Sequence, residues 1–192
     1  TLANGSDFLY TPMPRWIFSL FQFFPLSLFA AYAFWYGLPS NERWIEAFQI
    51  SAIAGIVQLV IVLPQRFPLN RLVLAGNIYL ILGGLAALTG QWWYLQIYGY
   101  LRESAIFLAM LLVGIVATFM TRDGFIAAQG ADLKWNRYYS ILLLGATAFC
   151  FIPALAFEGN RIWSAVVPIV ALAVIQRYFA HLASQKSHAA VG

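Results

Sequence analysis

Long apolar runs separated by short polar connections make up most of the chain. A helix needs about 20 mainly apolar residues to cross the hydrocarbon core of a bilayer. Six runs meet or approach that length, each bounded by charge, proline, asparagine or glycine: 16–37, 44–63, 72–90, 104–121, 138–157 and 162–180. Pro25 and Pro168 should kink the first and last runs, with neighbouring helices satisfying the freed carbonyls. The pattern predicts a single all-α domain over residues 1–192, an integral membrane bundle of six transmembrane helices.

The composition supports lipid as the solvent. Hydrophobic residues make up 62% of the 192 positions and charged residues only 9%, whereas soluble domains carry about 25% charged residues. The net charge of +4 comes from singly scattered Arg and Lys, so no nucleic-acid partner is expected. Cys150 is the only cysteine, which excludes a disulfide within the chain.

The basic residues are unevenly divided between the two sides of the predicted bundle. The side with both termini carries eight of them: Arg15, Arg66, Arg71, Arg122, Lys134, Arg137, Arg177 and Lys186. The opposite side carries three: Arg43, Arg102 and Arg161. Because Lys and Arg are retained in cytoplasmic loops, both termini are predicted to be cytoplasmic.

Aromatic residues crowd the outer connection between the third and fourth runs. They are Trp92, Trp93, Tyr94, Tyr98 and Tyr100. Such rings suit the headgroup level, where one edge contacts lipid and the N–H or O–H contacts water. We predict an aromatic belt; the alternative is an amphipathic lip over a cavity.

Charged residues recur at the three outer connections. Arg43, Arg102 and Arg161 are 59 residues apart, each near a glutamate. The predicted outer-face charge cluster is Glu42, Arg43, Glu46, Arg102, Glu103, Glu158 and Arg161. The spacing favours three tandem helical hairpins, and packing between them would bury Arg102 or Glu103 in an ion pair. The alternative is that short loops place charges at such intervals without structural repetition.

Glu46 has two interpretations. It lies three residues after Arg43, within reach on one helix face. It is also placed to act as a protonatable group at a cavity mouth, since partial desolvation raises the pKa of a carboxyl group.

The sequence contains no pattern for catalysis, metal binding or a cofactor. The apolar runs hold no Lys, Asp, Glu or His that is expected to be buried, Glu46 near the start of the second run coming nearest, and no phosphate-binding loop occurs. Ser104 beside Arg102 and Glu103 is the compact candidate for a lipid-acting enzyme, but it has no histidine base. We therefore predict no catalytic residue, no metal site and no cofactor.

Uncharged polar residues within the runs are expected to hydrogen-bond between helices. They are Gln22, Gln49, Ser51, Gln58, Asn77, Thr89, Thr118, Thr147 and Gln176. The alternative is a polar path for a small solute. Small residues four apart predict close helix packing, as at Ser51 and Gly55, Gly83 and Ala87, and Gly114 and Thr118.

The segment LRESAIFLAMLLVGIVATFMTRDGFI, residues 101–126, resembles small bacterial membrane proteins related to the intracellular septation protein A family. The resemblance covers residues 72–126 and rests on size, short loops and a helix that starts at a charged pair and ends at a basic cluster. It implies a multi-pass inner (plasma) membrane protein associated with cell-envelope maintenance and division. It implies no catalytic residues.

Two functions are compatible with these observations. The first is a non-enzymatic scaffold or accessory subunit of the envelope that binds a protein partner or a second copy through its helices. The alternative is a small transporter or channel for an unidentified solute. A transporter should contain a polar cavity reaching the bilayer midplane, whereas a scaffold should be a dry bundle with an exposed packing face.

Overall fold

The computed structural model describes residues 15–35, 40–64, 69–101, 104–128, 130–156 and 162–189. Within these ranges the chain is helical and contains no β-strand. The α-helices are α1 (Arg15–Gln22), α2 (Phe24–Phe34), α3 (Asn41–Val62), α4 (Arg71–Leu88), α5 (Trp92–Leu101), α6 (Ala105–Met120), α7 (Leu133–Ala156) and α8 (Val167–Ala189). A π-helical turn, Ile162–Val166, leads directly into α8.

Four helical segments in the described ranges are long and apolar enough to cross a membrane. They are α3, α4, α7 and the segment Trp163–Ser187, which includes most of α8. Helices α5 and α6 are bent by 106° relative to each other and together provide at most a fifth span. The all-helical class and the membrane-length helices are confirmed, but six spans are not.

The first predicted run differs from the other runs because it is interrupted at Phe23. Pro25 has no N–H to donate to the carbonyl of Phe21, four residues earlier. The side chain of Gln58 on α3 donates to that carbonyl instead. Asn77 Nδ2 on α4 donates to the neighbouring carbonyl of Gln22 at 3.3 Å. The expectation that neighbouring helices satisfy the freed carbonyl is confirmed at Pro25.

Glycine allows the very close packing of α3 against α4, the most extensive helix contact in the described fold. A Cβ atom at Gly83 would lie 2.5 Å from the Phe48 ring. One at Gly84 would lie 2.6 Å from the Phe48 carbonyl oxygen and would also overlap Ala52. The close approach expected from small residues is therefore present. Because α3 and α4 belong to different predicted hairpins, this contact gives the tandem-hairpin repeat no support, and the repeat stays a prediction.

The middle of the connection between α6 and α7 is packed into the bundle. Phe125 and Ile126 are almost completely buried. Asn136 Nδ2 on α7 lies 3.1 Å from the carbonyl oxygens of both Arg122 and Ala128 and donates to them. Gly124 turns the chain with a φ of +61°, which favours glycine. These contacts fix the connection against α7.

Candidate functional site

The predicted outer-face charge cluster is only partly within the described residues. Glu42, Arg43 and Glu46 lie in the first two turns of α3. Ser40 caps this helix, and its Oγ accepts a hydrogen bond from the Arg43 backbone N–H at 3.3 Å. Glu42 is exposed in the first turn, where a negative charge interacts favourably with the helix dipole. The remaining members lie outside the described residues: Arg102, Glu103, Glu158 and Arg161.

Glu46 has a hydrogen-bond partner that the sequence did not indicate. The hydroxyl of Tyr32 on α2 donates to Glu46 Oε2 at 2.7 Å. This exposed bond joins α2 to the first turns of α3. No periodic signal connects two residues 14 positions apart on different helices, so sequence reasoning could not find the pair.

The predicted aromatic belt lies on α5. Trp92, Trp93 and Tyr100 are largely exposed, and Tyr94 is half-buried. Trp93 Nε1 donates to Gln91 Oε1 at 2.8 Å. Tyr98 belongs to the same helix, but its side chain lies outside the described part. The depth of these rings in a bilayer stays a prediction.

The buried polar side chains of α1, α3 and α4 form one hydrogen-bonded cluster. Asn77 Nδ2 donates to Gln58 Oε1 at 2.5 Å, and Gln22 Oε1 accepts from the Asn70 backbone N–H at 2.8 Å. Together with the bonds at the α1–α2 break, these contacts link three helices. The expected interhelical role is therefore confirmed for Gln22, Gln58 and Asn77.

Threonines in the same runs behave differently from that expectation. Thr118 Oγ1 donates to the Gly114 carbonyl at 2.7 Å, and Thr147 Oγ1 donates to the Leu143 carbonyl at 2.8 Å. Each threonine thus bonds to the preceding turn of its own helix, a local option that short hydroxyl side chains have in any helix. These residues line no polar path across the bundle.

An apolar groove of about 360 Å³ lies among α2, α4, α6 and the start of α8. We call it the apolar groove; its walls include Leu26, Val73, Met110, Ile169 and Ala173, and Asn70 lies at the end where α4 begins. Hardly any polar surface lines it. Its composition does not match the polar cavity that a small-solute transporter requires.

Reactive groups are sparse in the described part of the chain. No three His, Cys, Asp or Glu side chains there come close enough together to hold a metal ion. Ser104 is buried, and its Oγ donates to the Leu101 carbonyl at 2.5 Å. That hydroxyl is therefore engaged with its own chain, and Arg102 and Glu103 beside it lie outside the described residues.

Helix α7 presents an exposed apolar ridge on the surface of the bundle. We call it the α7 seam; it consists of Tyr138, Leu142, Gly145, Phe149 and Ile152. Their spacing alternates between four and three residues, the repeat by which two helices pack at a shallow left-handed crossing. A Cβ atom at Gly145 would meet no atom within 4 Å. The seam therefore has a shallow notch at its centre.

No protein-family model, curated protein or solved structure matches the chain. The resemblance to septation-related proteins therefore stays an expectation from the sequence.

Proposed function

We propose that the protein is a non-enzymatic, multi-pass membrane protein that acts as a scaffold or accessory subunit and binds a partner helix through the α7 seam. The observation that carries this proposal is the open notch at Gly145 in a ridge of exposed apolar side chains. Membrane helices associate by close packing, and a small residue at the contact lets two backbones approach. The seam offers both the helix-packing spacing and the small central residue.

The distribution of polar groups supports a scaffold over a transporter. Gln58 and Asn77 are used in hydrogen bonds between helices, and neither of them lines the apolar groove. A path for a polar solute needs polar side chains that face a cavity, because an unsatisfied polar group in an apolar environment is costly. The small transporter or channel is therefore the less supported alternative.

The proposed location is the inner (plasma) membrane, with both termini in the cytoplasm. The eight-to-three distribution of basic residues supports the orientation. The resemblance of residues 101–126 to septation-related proteins supports a role in the cell envelope. The partner is either another membrane protein or a second copy of this chain.

Site-specific photocrosslinking in native membranes tests the proposal. A photoreactive amino acid replaces Phe149, which is 72% exposed in the seam, and in a matched control it replaces Val57, which is exposed on α3. We expect a discrete protein adduct from position 149 and none from position 57. Peptide mass spectrometry of the adduct would distinguish a second copy of this chain from another membrane protein.

A second variant tests whether the adduct depends on the notch at Gly145. Gly145→Leu places a branched side chain where a partner helix would approach, so the adduct from position 149 should disappear. If position 149 reacts only with lipid, or if the adduct survives Gly145→Leu unchanged, the seam does not bind a partner helix.

A further inference from the structure

We propose that the apolar groove binds one acyl chain of an anionic phospholipid, with the headgroup beside Arg71. This site goes beyond the proposed scaffold function and uses none of the α7 seam. The lipid would be a built-in component of the bundle rather than part of the surrounding annulus.

The walls of the groove require an apolar occupant. Leu26, Ile106 and Ile169, on three different helices, line the groove and are only partly covered by protein. An unfilled space would deprive these side chains of dispersion contacts on one side. Water is a poor occupant, because a buried water needs two to four polar partners. A hydrocarbon chain supplies the contacts without leaving polar groups unsatisfied.

The dimensions of the groove fit one chain and exclude a helix. Its wall on α4 runs from Leu72 to Tyr79, which is about 10.5 Å at 1.5 Å per residue. The volume of about 360 Å³ then corresponds to a mean cross-section of about 34 Å². A helix about 10 Å in diameter has a cross-section of roughly 80 Å². A methylene group is similar in size to a water molecule, about 30 Å³, so the groove accommodates about 12 methylenes.

The charge at one end of the groove indicates an anionic headgroup. Asn70 lines the groove where α4 begins, and Arg71 is the first residue of that helix. Arg71 Nε is buried and has no hydrogen-bond partner in the described part of the structure. A guanidinium at a helix N-terminus is also unfavourable to the helix dipole, which is positive at that end. The Arg71 side chain as a whole is only partly buried, so a lipid phosphate at the end of the groove could pair with its guanidinium and compensate both positive groups.

Photocrosslinking of the unaltered full chain tests the site first. The protein is reconstituted into bilayers that contain phosphatidylglycerol with a diazirine on the acyl chain, and the labelled peptides are identified by mass spectrometry. We expect labelling at Ile106 and Ile169 above that at Ile53, which is exposed on the outside of α3. Equal labelling at all three positions would overturn the proposal, because the lipid would then be annular.

Matched variants on α8 test the groove itself by native mass spectrometry in mild detergent. Ala173→Phe fills the groove, whereas Val174→Phe adds the same ring to the adjacent exposed position. We expect the parent and Val174→Phe each to retain one phosphatidylglycerol molecule. Ala173→Phe should retain no more lipid than the non-specific background. Ala30→Phe, on the opposite wall of the groove, should give the same loss. Retention by both Ala173→Phe and Ala30→Phe would overturn the proposal.

A comparison of two lipid headgroups tests whether the site prefers an anionic headgroup. The parent should retain phosphatidylglycerol in preference to phosphatidylcholine with the same acyl chains. Arg71→Gln should reduce that preference roughly fivefold, which corresponds to about 1 kcal/mol for one basic residue near the membrane surface. Arg177→Gln, which removes an exposed charge on α8, should leave it unchanged. An unchanged preference in Arg71→Gln would refute the headgroup site.

Discussion

Replacing Gly84 with alanine should separate helices α3 and α4. A Cβ atom at this position would lie 2.6 Å from the carbonyl oxygen of Phe48 and 3.2 Å from its carbonyl carbon. Favourable contacts between a carbon and a carbonyl oxygen occur at about 3.3–3.6 Å. The conflict is with backbone atoms, so no side-chain rotation relieves it. Relieving this contact moves one helix by at least roughly 0.7 Å, and the overlap with Ala52 requires more. A gap of about 0.7 Å already loses a quarter to a half of the dispersion energy of the facing atoms.

The expected magnitude follows from two opposing contributions. Alanine is favoured over glycine in a helix by about 1 kcal/mol. Inserting a group into a well-packed interface costs about 1–3 kcal/mol, and a clash with backbone belongs in the upper half of that range. Gly84→Ala should therefore lower the free energy of unfolding by about 1–2 kcal/mol.

Gly145 provides the matched control for this prediction. It also lies within a membrane-length helix, but a Cβ atom there would meet no atom within 4 Å. The helix-propensity contribution is common to both substitutions, so the two variants should differ by about 2–3 kcal/mol. Equilibrium unfolding of the monomeric protein in mixed micelles, titrated with sodium dodecyl sulfate and followed by circular dichroism, measures the difference. If Gly84→Ala and Gly145→Ala unfold at the same detergent fraction, the close α3–α4 contact is absent.

Three further predictions concern the helix break, the orientation and the aromatic belt. Gln58→Leu should lower the free energy of unfolding by about 1–3 kcal/mol. Adding Pro25→Ala should recover part of that loss, because it restores a backbone N–H that can donate to the Phe21 carbonyl. Strictly additive effects of the two substitutions on the free energy of unfolding would contradict the hydrogen bond from Gln58 to Phe21. A cysteine added after His188, in a background with Cys150→Ser, should resist an impermeant maleimide in intact cells, and labelling would reverse the predicted orientation. In a variant whose only tryptophan is Trp92, lipids brominated near the headgroup should quench the tryptophan fluorescence most strongly. Maximal quenching by lipids brominated near the bilayer centre would refute the aromatic belt.

The membrane-length helices could be predicted because the length of an apolar run is directly visible in the sequence. The predicted runs 44–63 and 72–90 correspond to Asn41–Val62 and Arg71–Leu88. The helix starts are set by Ser40 and Asn70, whose side chains accept hydrogen bonds from the first turn of each helix. Run length does not show where a helix breaks. The interruption at Phe23 depends on Pro25 together with donors from two other helices.

The sites were less predictable because they depend on contacts between distant residues. The residues that line the apolar groove, such as Leu26 and Met110, are of types that also occur at core and lipid-facing positions, so the sequence does not mark them. The groove exists only because four helices fail to close against each other. Likewise, the sequence identifies Glu46 as a charged residue, but its hydrogen bond with Tyr32 depends on the packing of α2 on α3.

The bonds at the α1–α2 break also have a consequence for biosynthesis. The carbonyls of Phe21 and Gln22 are satisfied by side chains that lie 37 and 55 residues later in the chain. When the first hydrophobic segment leaves the ribosome, neither donor has yet emerged after it. An unsatisfied carbonyl in hydrocarbon costs several kcal/mol, so this segment has to stay near water or the insertion machinery until α3 and α4 arrive. Helices α1 and α2, which are made before α3 and α4, would thus reach their final positions only after them.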